Sequence, residues 1–133
     1  MKSTKQITLS YLLAFVNLLM IKYSDSPIHS KVNMLSVNLK LIRAVLREDM
    51  KKEQILKNNL DELSKRIETL RKEYSTSYEL SYIYAAYNEQ QRAEFEIRIY
   101  DILEDLYFYI EEYSLINEKT YGEVEAKSWT LPV

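Results

Sequence analysis

Glycine is almost absent from this chain: one residue, Gly122, in 133, with two prolines, Pro27 and Pro132. Average usage at this length would supply about nine glycines and about seven prolines. Tight turns with positive φ, β-bulges and close backbone approaches to a ligand draw on glycine because it has no Cβ to clash. The shortage therefore argues against β-sandwiches, small barrels and glycine-rich phosphate-binding loops. A hydrophobic content of 47% with 29% charged residues is that of a folded chain, not a disordered one. An all-α fold is left, and the length suits one domain.

Several chemistries are excluded by residue type. Cysteine is absent and His29 is the single histidine, so thiolate sites, disulfides and two-histidine metal motifs cannot form within one chain. A Glu-x-x-His pair fails because Ser26 stands three residues before His29, and no Gly-x-Ser-x-Gly elbow is present. His29 is assigned an ordinary surface or capping role. No catalytic residue, cofactor or metal ligand is assigned.

The net charge of −2 does not suggest a dedicated nucleic-acid binder, but its distribution is uneven. Residues 1–74 hold 14 Lys and Arg against 8 Asp and Glu, and residues 75–133 hold 4 against 12. The first expectation is a basic and an acidic helix lying against each other. The alternative is a basic face open to an acidic partner or a nucleic-acid backbone.

Three helices are predicted, over about residues 7–23, 27–74 and 77–117, in one domain spanning 1–117, with a tail at 118–133. The apolar block Ile7–Tyr23 is 17 residues long, the short edge for a membrane span, and Thr8, Ser10 and Asn17 interrupt it. No small-x-small cleavage pattern follows it. A short buried helix is expected there, with membrane association the alternative. In Ser24-Asp25-Ser26-Pro27, Ser26 is positioned to cap the next helix and Pro27 to occupy its first turn.

Leu35, Leu39, Ile42 and Leu46 recur at four, three, four, as do Leu56, Leu60, Leu63, Ile67, Leu70 and Tyr74. Between these runs the stripe passes through Asp49 and Glu53, so the helix either bends or breaks near 47–53 or opens its seam to water. Thr76 followed by Glu79 fits a capping box and predicts the chain reversal; Asn88-Glu89-Gln90-Gln91 is a rival. The last helix shows a seam at Phe95, Ile99, Ile102, Leu106, Tyr109 and Tyr113. Acid-before-base pairs at i, i+4, such as Glu62–Arg66, Glu68–Lys72 and Glu94–Arg98, are expected along exposed faces.

Folding at Thr76 gives two long helices in an antiparallel coiled-coil-like hairpin, with the short first helix at its base. A compact four-helix bundle with a break near Asp49 is the alternative. In the hairpin, facing residues have numbers that add to about 152. Leu46 then meets Leu106 and Leu39 meets Tyr113, while Leu60 and Leu63 stand opposite Arg92 and Asn88/Glu89. An apolar stripe without an apolar partner predicts a second chain, with a homodimer the first choice.

The candidate protein interface comprises Leu60 and Leu63, the tyrosine-rich segment with Tyr78, Tyr82 and Tyr87, and Trp129 and Leu131 of the tail. Seam packing and docking on the chain's own bundle are the blander assignments for the tyrosines and the tail. Lys65, Arg66, Arg71 and Lys72 form a candidate basic face, expected to be a solvated surface, with phosphate contact the alternative. The carboxylates Asp101, Glu104, Asp105, Glu111 and Glu112 alternate with the apolar seam and are expected to point outwards. The composite is a non-enzymatic, intracellular, homo-oligomeric assembly protein. Its size and lack of cofactor chemistry suit an accessory or structural protein of a virus or mobile element, where virion association would be natural. Nucleic-acid association and membrane attachment through Ile7–Tyr23 are the alternatives.

Overall fold

The computed structural model describes the backbone of residues 4–84 and 89–130 and the side chains of residues 4–75 and 91–116. It is all-helical: α1 (Thr4–Ser24), α2 (Ile28–Val45), α3 (Arg47–Lys52), α4 (Gln54–Tyr84) and α5 (Glu89–Thr130). No strand occurs among the described residues. The helices form a bundle in which α1 and α4 run one way and α2 and α5 return. At one end Asp49 meets Lys5 and Tyr113. At the other, Tyr74 lies against both His29 and Phe95. Residues 75–84 of α4 and 89–94 of α5 are also helical.

The expected continuous helix over 27–74 is not observed. A kink at Leu46 (φ −94°, ψ 13°) separates α2 from α3, and Glu53 is extended (φ −118°, ψ 99°). Those angles at Glu53 lie in the β region open to any residue, so the reversal needs no glycine or proline and leaves no breaker in the sequence. The polar positions Asp49 and Glu53, where the apolar stripe lapses, mark the place where continuing the helix would bury no further core.

The reversal expected at Thr76 also fails. The α4 backbone runs through the Thr76–Glu79 segment to Tyr84, and α5 begins at Glu89. Of the rival site at 88–91, residues 89–91 are already helix, and 85–88 lie outside the described residues. Facing residues consequently add to 169–171, as in Arg66–Asp105, Glu73–Arg98 and Tyr74–Phe95. The pairings of Leu46 with Leu106 and Leu39 with Tyr113 across a hairpin do not apply. In the observed register Leu60, Leu63 and Leu70 are each 0% exposed. The argument that Leu60 and Leu63 lack a partner within the chain is thereby removed.

The stripes themselves are core. Leu35, Leu39, Ile42, Leu46, Leu56, Ile67, Phe95, Ile99, Ile102 and Leu106 are buried, with Leu103 and Ile110 as a second row on α5. Two rows let α5 serve α4 on one flank and α1 on the other while also meeting α2. The anticipated tail is helical backbone through Thr130, against the expected end near Asn117.

Local details shift in the same spirit. Ser26 does not cap α2; its Oγ donates to the Lys22 carbonyl (3.1 Å), closing the last turn of α1. The expected i, i+4 pairs give way to bonds between helices: Arg66 pairs with Asp105 (2.6 Å), Arg98 with Glu73, and Arg43 with Asp61 (2.8 Å). Only Arg66–Asp105 sets a base of α4 against an acid of α5; Arg98–Glu73 runs the other way and Arg43–Asp61 joins α2 to α4.

Candidate interaction surface

A helix of a small bundle usually turns one apolar stripe inwards and a polar face to water. α1 has two apolar stripes. Leu9, Leu12, Val16, Leu19 and Tyr23 recur at three, four, three, four and are all buried. On the opposite side Ile7, Tyr11, Ala14, Leu18 and Ile21 recur at four, three, four, three and are all exposed. Tyr11 is 73% exposed, Leu18 62% and Ile21 67%. At ~100° per residue the two stripes lie on opposite sides of the helix.

α2 adds a second outward line, Val37, Leu41 and Val45, each at least half exposed. Its position follows from its neighbours. Arg43 reaches Ser64 and Asp61 and so marks the α4 flank, whereas Asn38 Nδ2 donates to Tyr23 Oη (2.8 Å) and marks the α1 flank. Leu41 and Val45 lie three and seven residues beyond Asn38, which puts them on that α1 flank. Phe15 and Met34 are half-buried and packed on the core.

The face is held in place by polar contacts at both ends of α1. Lys5 Nζ is 2.8 Å from Asp49 Oδ1, and Tyr113 Oη donates to the same oxygen at 2.6 Å. The Asp49 hydrogen bond is the main reason the Lys5 ammonium titrates above its ordinary range. At the other end, burial pushes the Tyr23 hydroxyl up to about 12, partly offset by the Asn38 hydrogen bond. Lys31, 3% exposed, lies 3.4 Å from Glu96 and 5.4 Å from the centre of the Tyr100 ring, so its buried charge is compensated. α1 packs most extensively on α5. Its inner face is thus committed while its outer face is not.

Comparison of the chain with protein-family models, curated proteins and solved structures found no match. The surface is accordingly read from its own chemistry.

The sequence-selected residues fall in different places. Leu60 and Leu63 are core. Tyr78 and Tyr82 belong to the helical backbone of α4 and Trp129 to that of α5, with side chains outside the described residues; Tyr87 and Leu131 lie outside them altogether. Of the basic set, Arg66 and Arg71 are engaged by Asp105 and Glu68, while Lys65 and Lys72 are exposed. Lys65, Arg66 and Arg98 share an α4–α5 groove of ≈ 270 Å³ with Glu62 and Asp101, so cations and anions alternate there. His29 is exposed, with Nε2 3.3 Å from Asn33 Nδ2. Among the described residues no three His, Asp or Glu side chains gather as a metal would require.

The α1 face was missed although its signal is present: within Ile7–Tyr23, two three-four stripes alternate, with Ser10 and Asn17 on one flank between them. Reading the block only as core or membrane span passed over an inner stripe coexisting with an outer one.

Proposed function

We propose that this protein is a non-enzymatic helical assembly module that binds another protein through the outer face of α1. One observation carries the reading: the stripe from Ile7 to Ile21 is apolar, exposed and helical in spacing, on a helix whose opposite face is already buried. Soluble chains seldom leave contiguous apolar faces of this kind uncovered unless they bind something. Three-four spacing is the pattern that another helix accepts, its knobs entering the gaps between successive side chains.

The membrane alternative has a real basis, since Thr4–Ser24 is long and apolar enough to cross a bilayer by length and composition. Spanning would strip Leu9, Val16 and Tyr23 from the core and break the Lys5–Asp49 and Tyr23–Asn38 contacts. The protein-docking reading keeps all of these. The basic-face alternative draws less support, because Arg66 and Arg71 are already paired.

The test uses the triple variant Tyr11→Gln, Leu18→Gln, Ile21→Gln in the full chain. Two differently tagged copies are expressed together in the native host, recovered through one tag, and their polypeptides identified. The wild type is expected to hold at least one polypeptide stoichiometrically, tagged copy or other, and the variant to lose it. Equal recovery by both, or flotation of the wild type with phosphatidylcholine–phosphatidylglycerol vesicles that the variant abolishes, would overturn the reading.

A further inference from the structure

We infer that the polypeptide on the outer face of α1 is a second copy of this chain, its α1 laid antiparallel on the first across a two-fold axis at Ala14. This rests on the protein-docking reading above and names the partner. The pattern of the stripe carries it. Ile7 and Ile21 are each seven residues from Ala14, and Tyr11 and Leu18 stand three and four residues to either side of it. A two-fold axis through Ala14 therefore sets Ile7 against the partner's Ile21 and Ala14 against itself, with Tyr11 one residue out of level with the partner's Leu18 on the same stripe. Isologous contacts require such self-complementarity. Each large side chain meets a large one, and the smallest residue sits at the crossing, where backbones come closest.

Charge agrees with this arrangement. The only charged residues of α1 are Lys5 and Lys22. Under the same two-fold, Lys5 comes level with position 23 and Lys22 with position 6, so no like charges are brought together. Lys5 is moreover neutralised by Asp49 of its own chain. Helices that lie on lipid headgroups carry rows of Lys and Arg beside the apolar face, and α1 has no such row.

The area is sufficient. From their fractional exposures, Ile7, Tyr11, Leu18 and Ile21 present roughly 500 Å² on each copy, so a pair would bury roughly 1,000 Å², the lower end for a specific interface.

The natural absence of cysteine makes the test specific. Ala14→Cys, in the full chain under mild copper–phenanthroline oxidation, is expected to give a disulfide-linked dimer, because Cα atoms facing at a helix crossing fall within disulfide range. Tyr11→Cys alone is not expected to link, whereas Tyr11→Cys combined with Leu18→Cys is. Sedimentation equilibrium is expected to show a dimer whose dissociation constant rises about 30-fold or more with Leu18→Glu. Ala14 and Leu18 are exposed, so these variants keep the bundle, and circular dichroism checks that they do. A wild-type monomer throughout the concentration range overturns the inference, as does a dimer that Ala14→Cys fails to link or one in which Tyr11→Cys links to itself. Failure here, combined with recovery of a different polypeptide in the two-tag experiment, would reject the second copy while leaving the protein-docking reading intact.

Discussion

α1 and α4 run parallel in the same bundle, and each inserts an apolar stripe of three-four spacing into the same core. Their outer faces are opposites. α4 turns Lys57, Glu62, Lys65, Glu68 and Lys72 to water, and Arg66 and Glu73 bind α5. α1 turns out Ile7, Tyr11, Leu18 and Ile21. Core packing asks the same of both helices, so it accounts for the inner stripes and not for the difference. What the contrast teaches is that packing of the core leaves the apolar outer face of α1 unaccounted for.

Truncation on the two helices is the strongest way to break the comparison. Leu63→Ala, at a site with 0% exposure on α4, is expected to destabilise the protein by about 2–5 kcal/mol in urea unfolding. Leu18→Ala on α1 should move dilute-solution stability by less than about 0.5 kcal/mol, with a larger loss only at concentrations where chains associate. A large loss at every concentration would place Leu18 in the core and end the contrast.

Alkali probes the inner side of α1. Tyr23 ionises near 12 when folded and near 10 when unfolded, so its contribution is whole below pH 10 and fades as pH climbs towards 12. The loss across that window is about 2–3 kcal/mol. Tyr23→Phe should flatten the dependence, monitored by circular dichroism in urea; an undiminished slope would assign it to other groups.

The Asp49 contact sharpens the picture at the opposite end. Asp49→Asn removes the carboxylate charge that holds Lys5 and accepts from Tyr113, and about 1 kcal/mol should be lost, the value being limited by the partial exposure of Lys5. Amide exchange should rise first in the opening turns of α1. If it rises instead in α4, the contact belongs to the connector and not to the docking helix. The smallest effect is expected at Arg66→Gln, about 0.2–1 kcal/mol for an exposed pair, and it should shrink in high salt.

Which positions form apolar stripes was plain in the sequence, although Leu60 and Leu63 were assigned to an interface and Leu103 and Ile110 were not singled out. The runs Leu35–Leu46 and Leu56–Tyr74 and most of the α5 seam are buried as their spacing required, because helical period alone places them on one side. Where the helices would turn was not plain. Thr76–Glu79 has the composition of a cap, yet the helix runs through it, since an interior turn keeps its backbone hydrogen bonds. Glu53 has no breaker composition, yet it reverses the chain, since extended φ and ψ are open to every residue. Moving the reversal from Thr76 to the Tyr84–Glu89 connection slid the register by about 18 residues and carried Leu60 and Leu63 from candidate interface to core.

The candidate site moved for the same reason. Spacing shows that α1 has two apolar sides, but either one could face inwards. Only packing on α5, with Lys5 held by Asp49 and Tyr23 by Asn38, turned the Leu9–Tyr23 side inwards and left the Ile7–Ile21 side outside.

The amino-acid order by itself determined an all-helical chain and the membership of each apolar stripe, because both follow from local propensity and from a period of 3.6 residues. The tertiary structure alone decided which stripes are satisfied within one molecule. That depends on register between distant segments, and register is set by where the backbone reverses, which a proline announces at Pro27 but neither glycine nor proline announces at Glu53 or between Tyr84 and Glu89.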